Sequence, residues 1–189
     1  YVPFYHYGVI HGDPHLGNYS VRDDLSLNLM DFGCVRVFRP EFLHGVIELY
    51  HALMNNDNDR ALHAYETWGF KNLGKEQLET LNIWARFLYA PVMDDSVRKI
   101  GEIKNGVFGK DIAQDVHEQL KEHAQKHGGV TIPREFVFMD RAALGLGSVF
   151  LHLKAEINCY RVFKELIEGF EVEALRTQQS KTLKKFDLL

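Results

Sequence analysis

"HGDPHLGN", from His11 to Asn18, and "DFG", from Asp31 to Gly33, decide how the rest of this chain is read. In the first stretch Asp13 lies two residues after His11, and Asn18 lies five after Asp13. The second begins thirteen residues after Asn18. Between them "NYSV" and "LSLNLMD" are short alternating runs, separated by the turn-prone pair Asp23 and Asp24. That pattern predicts a small hairpin, the one clear β region of the chain, within residues 8–33. Side chains alternate along a strand, so Leu25, Leu27, Leu29 and Asp31 share a face. Asp31 is therefore expected to end a buried stripe, where a carboxylate needs a partner or a cation.

The spacing has a chemical meaning. Phosphoryl transfer from a nucleotide needs a carboxylate that orients the accepting group or takes its proton, and hard oxygen ligands for magnesium. Protein-kinase-type sites supply these from a loop of form H-x-D-x-x-x-x-N and a following DFG. Both are present here. Asn18 and Asp31 stand at opposite ends of one hairpin, which lets their oxygens converge on one ion. Asp13 is the candidate catalytic base or orienting carboxylate. His15 stands where a cationic side chain would meet the terminal phosphate, and is the second catalytic candidate. Asn18 and Asp31 are the candidate Mg2+ ligands, and with Gly33 they are the residues expected to contact the nucleotide, ATP or ADP. His11 is expected to brace the loop by packing and hydrogen bonding, Gly17 to relieve a tight backbone, and Phe32 to anchor the site in the core.

The bulk composition narrows the alternatives. A chain of 189 residues with 46% apolar and 25% charged residues suits one soluble globular domain. Its formal net charge of −4 gives no reason to expect nucleic acid as a partner. Cys34 and Cys159 lie far apart and read as free thiols. No apolar run approaches the roughly 18 residues of a membrane span, and no signal peptide is visible. The chain opens on "YVPFYHYGVI", an apolar strand-like or buried segment without an initiating Met, and is read as cut from something longer.

From Pro40 the pattern turns helical. "EFLHGVIELYHALM" places Phe42, Val46, Leu49, Leu53 and Met54 on one face behind a proline suited to a first helical position. "DNDRALHAYETWGF" has Asp57 or Asn58 as N-cap and Gly69 as stop, and "KEQLETLNIWARFLYAPVM" ends near Pro91. Residues 94–110 are expected to form a loop. "KDIAQDVHEQLKEHAQKH", "REFVFMDRAALGLGSVFLHLKA" after Pro133, and a last helix from Asn158 to Gln178 complete the bundle. The expected fold is α+β and mostly α: a kinase-like C-lobe whose short hairpin carries the catalytic loop and DFG, followed by a helical bundle. It forms one domain, 1–189, with the loop and hairpin in 1–39, the helical part in 40–178 and a tail in 179–189.

At the quoted residues the chain resembles the UbiB/ADCK family of atypical protein-kinase-like proteins, whose loop reads H-[GA]-D-P-H-P-G-N; here Leu16 replaces the second proline. "MNNDNDRALHAYETWGF" and "DRAALGLGSVFLHLKAEINCYRVFKEL" also resemble segments of that family. The resemblance implies an ATP-dependent kinase or ATPase acting in ubiquinone or related lipid metabolism. Its partners would be nucleotide, isoprenoid lipid-pathway proteins or a membrane surface, in the cytoplasm, at a membrane periphery or in an organelle. It also implies an N-lobe upstream, with a K-x-G-Q segment and an Ala-rich nucleotide loop, so that this stretch alone is expected to be inactive. Aminoglycoside and choline phosphotransferases share an H-G-D-x-H-x-G-N loop, but Pro14 and the intact DFG favour the first resemblance. A non-catalytic, pseudokinase-like binding module is the alternative of another class. Residues 34–49 hold no Ser, Thr or Tyr, which disfavours activation-loop phosphorylation and a peptide platform and favours a small-molecule or lipid-linked role.

Other strings have simpler readings. "GLGSVFLHLK", Gly145 to Lys154, lacks a third glycine and interrupts a helical pattern; Gly147 with Ala143 is expected to let two helices approach. Pro14 keeps His11 and His15 off a shared helix face for zinc. His117, His123 and His127 read as solvated. Trp68, Phe70, Trp84, Phe87, Phe150 and Phe163 read as core, and Lys181 to Lys185 as a solvated basic stretch.

Overall fold

A computed structural model describes residues 2–99 and 134–187, and between them residues 118, 121–122 and 125–126. The chain opens with a short helix, α1 (Val2–Tyr7), where a strand-like or buried segment is expected. Phe4 and Tyr5 are buried as adjacent helical residues, and Gly8 closes the turn at φ 66° with its N–H on the Phe4 carbonyl. Strand β1 (Val9–His11) follows, then a single 3-10 turn at Leu16–Asn18 and the hairpin strands β2 (Tyr19–Val21) and β3 (Leu27–Leu29). Strand β4 (Val35–Val37) returns antiparallel to β1, pairing Val9 with Val37 and His11 with Val35. The β1–β4 pairing extends the β region past residue 33, because "CVRVF" alternates over a stretch too short for a strand to be read confidently from the residues that flank it.

The buried stripe on the hairpin is not found. Leu25 and Leu27 are 82% and 67% exposed, and Asp31 is exposed as well. Two strands cannot bury a face by themselves, and Leu25 sits in the turn at φ 65° rather than in the ladder. Phe32, expected in the core, is 68% exposed. The turn closed by the Gly33 N–H on Asp31 Oδ1 carries its ring outward.

The helical part follows local signals closely. Helix α2 (Pro40–Asn55) starts on its proline and buries Phe42, Val46, Leu49 and Leu53; Met54, one step round the helix, is 40% exposed. Helix α3 (Asn58–Thr67) is capped by the Asp57 carboxylate accepting from the Arg60 N–H, and Gly69 at φ 95° ends the segment. Helix α4 (Lys75–Tyr89) runs into a 3-10 turn, Ala90–Val92. The expected loop over 94–110 contains, in its described part, strand β5 (Arg98–Lys99), paired with β6 (Glu156–Ile157). Most of the helix expected near residues 110–127 lies outside the described residues, including His117, His123 and His127; residues 118, 121–122 and 125–126 are helical.

Helix α5 (Arg134–His152) includes the "GLGS" string, which is therefore no nucleotide loop. The expected final helix is two: α6 (Cys159–Ile167) and α7 (Val172–Lys185), broken at Gly169, φ 68°, where left-handed backbone cannot continue a helix. Residues 179–185 accordingly belong to α7 rather than to a tail.

The core centres on α2, with Leu43 and Leu49 fully buried. Phe136 of α5 meets Phe42, Trp68, Phe70 and Trp84 at centroid distances of 5.5, 4.7, 6.0 and 5.8 Å. Phe163 of α6 meets Tyr5 and Tyr50 at 5.7 and 4.8 Å. Trp68, Phe70 and Phe163 are core as expected, with Trp84 packed at its edge. The result is a mostly helical α+β fold, consistent with a kinase-like architecture.

Candidate functional site

Backbone hydrogen bonds assemble the loop before any functional side chain is considered. The Gly12 N–H donates to the Cys34 carbonyl at 2.7 Å, so the β1–β4 ladder extends to the residue after DFG. The Met30 N–H donates to the Asn18 carbonyl at 2.8 Å, which continues the hairpin register back to the end of the loop. Asn18 and Asp31 are thus brought together at the open end of the β2–β3 hairpin, while Gly12 and Cys34 close the other ladder beside them. His11 joins the two. Its Nε2–H donates to the Asp31 carbonyl at 2.7 Å and its ring lies edge-on to Tyr19 at 6.4 Å. The ring thus links β1 to the backbone of the DFG segment. The other ring nitrogen, Nδ1, is buried with no hydrogen-bond partner among the described residues.

The loop itself is wound tightly. The Asp13 carbonyl accepts from the His15 N–H at 2.8 Å and from the Asn18 side-chain Nδ2 at 3.0 Å. The second bond ties the Asn18 amide nitrogen to the loop backbone. Asp31 Oδ1 accepts from the Gly33 N–H at 2.8 Å, and the carboxylate is exposed. Gly33 thus holds the proposed ligand in place. Gly17 donates its N–H to His15 Nδ1 at 3.0 Å, and a Cβ on Gly17 would stand 3.0 Å from that nitrogen. The close approach at Gly17 is to the His15 ring. The Gly17 bond engages Nδ1 of the exposed His15 ring.

Helix α5 forms the seat of the loop. Pro14 is buried, and a Cβ on Gly145 would stand 2.5 Å from Pro14 Cγ. A Cβ on Gly12 would meet Cys34 Sγ at 3.0 Å and Phe138 Cδ1 at 3.4 Å. Gly145 thus admits a close approach of α5 to the loop. Sequence reasoning also passed over Tyr19. Burial first, and then the nearby Asp13 carboxylate, push its phenol above the ordinary value, which places the hydroxyl within electrostatic reach of Asp13. The signal available was its position next to Asn18 on an inward-facing strand site.

The donor set suits magnesium bound with phosphate. Among the described residues no group of three or more His, Cys, Asp or Glu side chains gathers as a metal cage. One carboxylate and one amide oxygen fit an ion that completes its shell with phosphate and water.

The arrangement is a short loop and hairpin at the start of a mostly helical α+β fold. Residues 3–65 match the family model described as the ABC1 atypical kinase-like domain. Over 63 residues the chain is 43% identical to an uncharacterized, chloroplastic aarF domain-containing protein kinase of Arabidopsis thaliana. Both matches support the resemblance to the UbiB/ADCK family over the residues they cover. The aligned region is 33% of this chain and 9% of the relative. The family-model match ends within α3, so the resemblance of the C-terminal helices lies beyond it. Among the described residues no helix is long and apolar enough to cross a membrane.

Proposed function

We propose that this chain contributes the metal-binding and carboxylate half of an Mg2+–nucleotide site in an atypical kinase or ATPase. The observation that carries the proposal is a pair of hydrogen bonds at the loop and hairpin, the Asn18 amide nitrogen on the Asp13 carbonyl and the His11 ring on the Asp31 carbonyl. Asn18 Oδ1 and the free Asp31 oxygen would hold Mg2+. The ion, when bound, neutralises charge on the phosphates. Asp13, held beside them at the loop apex, orients the accepting hydroxyl or water and takes its proton. His15 Nε2–H donates to a phosphate oxygen, and Tyr19 packs where its hydroxyl faces the Asp13 charge.

The acceptor is a small molecule, a lipid-linked group or water. In support, β4 begins two residues after Gly33 and α2 three residues after β4 ends, which leaves no activation segment between them. Ubiquinone or related isoprenoid-lipid metabolism is the setting that the family resemblance suggests, with nucleotide and membrane-associated pathway proteins as partners.

Calorimetry on the polypeptide as it occurs in its source tests this. The intact protein is expected to bind Mg–ATP, and Asp31→Asn to weaken binding by about 1.5–3 kcal/mol, roughly tenfold or more. Equal affinity in the variant contradicts the proposed ligand. Mg–ATP binding that needs Asp31 but is never followed by phosphate release or transfer would instead favour the binding-module alternative.

A further inference from the structure

The β1–β4 ladder ends at the candidate site on one side. Its other end is held by a residue far away in sequence. Gln179, on α7, directs its side-chain Nε2 to two backbone carbonyls, Tyr7 at 2.9 Å and Phe38 at 3.0 Å. Tyr7 precedes β1 by two residues and Phe38 follows β4 directly. An amide nitrogen carries two hydrogens, so both are used on the same pair of strands. Between those carbonyls the Phe38 N–H donates to Gly8 at 2.7 Å, the last rung of the ladder. Gly8 is a necessary part of the arrangement: a Cβ there would lie 2.2 Å from Gln179 Nε2 and 3.0 Å from the Phe38 carbonyl.

We propose that Gln179 is a positioning residue for the candidate site, setting the register of β1 against β4 and through it the placement of His11 against Asp31. The two strands pair over just three residues each. A ladder that short is fixed mainly by what holds its ends. At the site end these are the Gly12 N–H on the Cys34 carbonyl and the His11 bond to Asp31; at the other end it is the Gln179 amide. A slip of one residue would turn every side chain of β1 to the opposite face, His11 included. The bond from His11 to the DFG backbone would then be lost without any change in the loop sequence. The helix that carries Gln179 has a separate anchor, the Arg176–Glu41 ion pair with α2, which does not touch the ladder.

The site-directed half of this inference rests on the nucleotide reading above; the ladder half does not. The test compares Gln179→Glu and Gln179→Met, which keep side-chain length and lose the double donor, with Arg176→Ala, which loosens the same helix elsewhere. Amide hydrogen exchange on the folded chain is read at Gly12 and Phe38, the two outer rungs, and Mg–ATP affinity is read in the full polypeptide. Both Gln179 variants are expected to speed exchange at Gly12 about tenfold, the effect of losing about one hydrogen bond's net contribution, and to weaken Mg–ATP binding. Arg176→Ala is expected to leave Gly12 exchange and binding unchanged. Equal effects of all three variants at Gly12, or none in any, overturn the proposal. If either Gln179 variant fails to fold, the other decides. A wild-type protein that binds no nucleotide overturns the functional reading, and the exchange pattern still decides the role of Gln179.

Discussion

A methyl group added at Gly145 would stand 2.5 Å from Pro14 Cγ and 3.0 Å from its Cδ, inside any tolerable contact. Either α5 or the loop between Asp13 and His15 has to move. Gly145→Ala is expected to destabilise the fold by about 1–3 kcal/mol, and to shift the amide resonances of His15 to Asn18 more than those of α2. Chemical denaturation and heteronuclear NMR check the two parts. At this scale the sequence was most informative where hydrogen-bonding residue types recur at fixed spacing: the Asn18 amide bonds the Asp13 carbonyl and the His11 ring bonds the Asp31 carbonyl, while the chemical roles of Asp13, Asn18 and Asp31 are proposals. It was least informative where a position depends on a distant partner. Nothing near Gly145 points to Pro14, and nothing near Phe32 tells that the Gly33 turn would leave the ring exposed.

Between α2 and α3 the guanidinium of Arg60 donates twice to Glu48, Nε to Oε2 at 2.7 Å and Nη2 to Oε1 at 2.8 Å. That hydrogen bond is the largest influence on Glu48 and holds its carboxyl below the ordinary value of 4.5, with burial opposing it. A depressed carboxylate adds stability that is complete above the unfolded-state value and disappears as pH falls through the folded one. The two side chains are 35% and 21% exposed, so the contribution at neutral pH is modest, about 0.3–1 kcal/mol. Glu48→Gln is expected to cost that amount at pH 7 and to flatten the stability loss as pH falls below about 5. Urea midpoints measured for both proteins at pH 7 and pH 3.5 give the comparison, and parallel losses would contradict the pair's role. Elements with their own start and stop signals were legible in just this way: Pro40 opening α2, Asp57 capping α3, Gly69 ending it. Those whose limits depend on contacts with other elements were not. α1 forms because Phe4 and Tyr5 reach the core against Phe38 and Phe163, and β5 forms because residues 156–157 arrive to pair with it.

Across the whole molecule, Phe136 ties α5 to three other helical segments through the rings of Phe42, Trp68, Phe70 and Trp84. Phe136→Ala is expected to cost about 3–5 kcal/mol in urea unfolding, and to loosen the loop seat as well, since the same helix bears Phe138 and Gly145. The mostly helical α+β class was legible from the switch in period at Pro40, while the way α5 and α7 come back to support the loop and the β1–β4 ladder was not, because long-range packing leaves no local pattern. The central claim is that Asn18 and Asp31, from opposite ends of one hairpin, hold a single ion. Manganese added with ADP to isotopically labelled protein tests it through paramagnetic broadening of backbone amides. The account predicts that Asn18 and Gly33 broaden together at the same low manganese concentration, and that Asp31→Asn removes the effect at both. Broadening confined to Asp23 and Asp24 in the turn, or unchanged in Asp31→Asn, would contradict it.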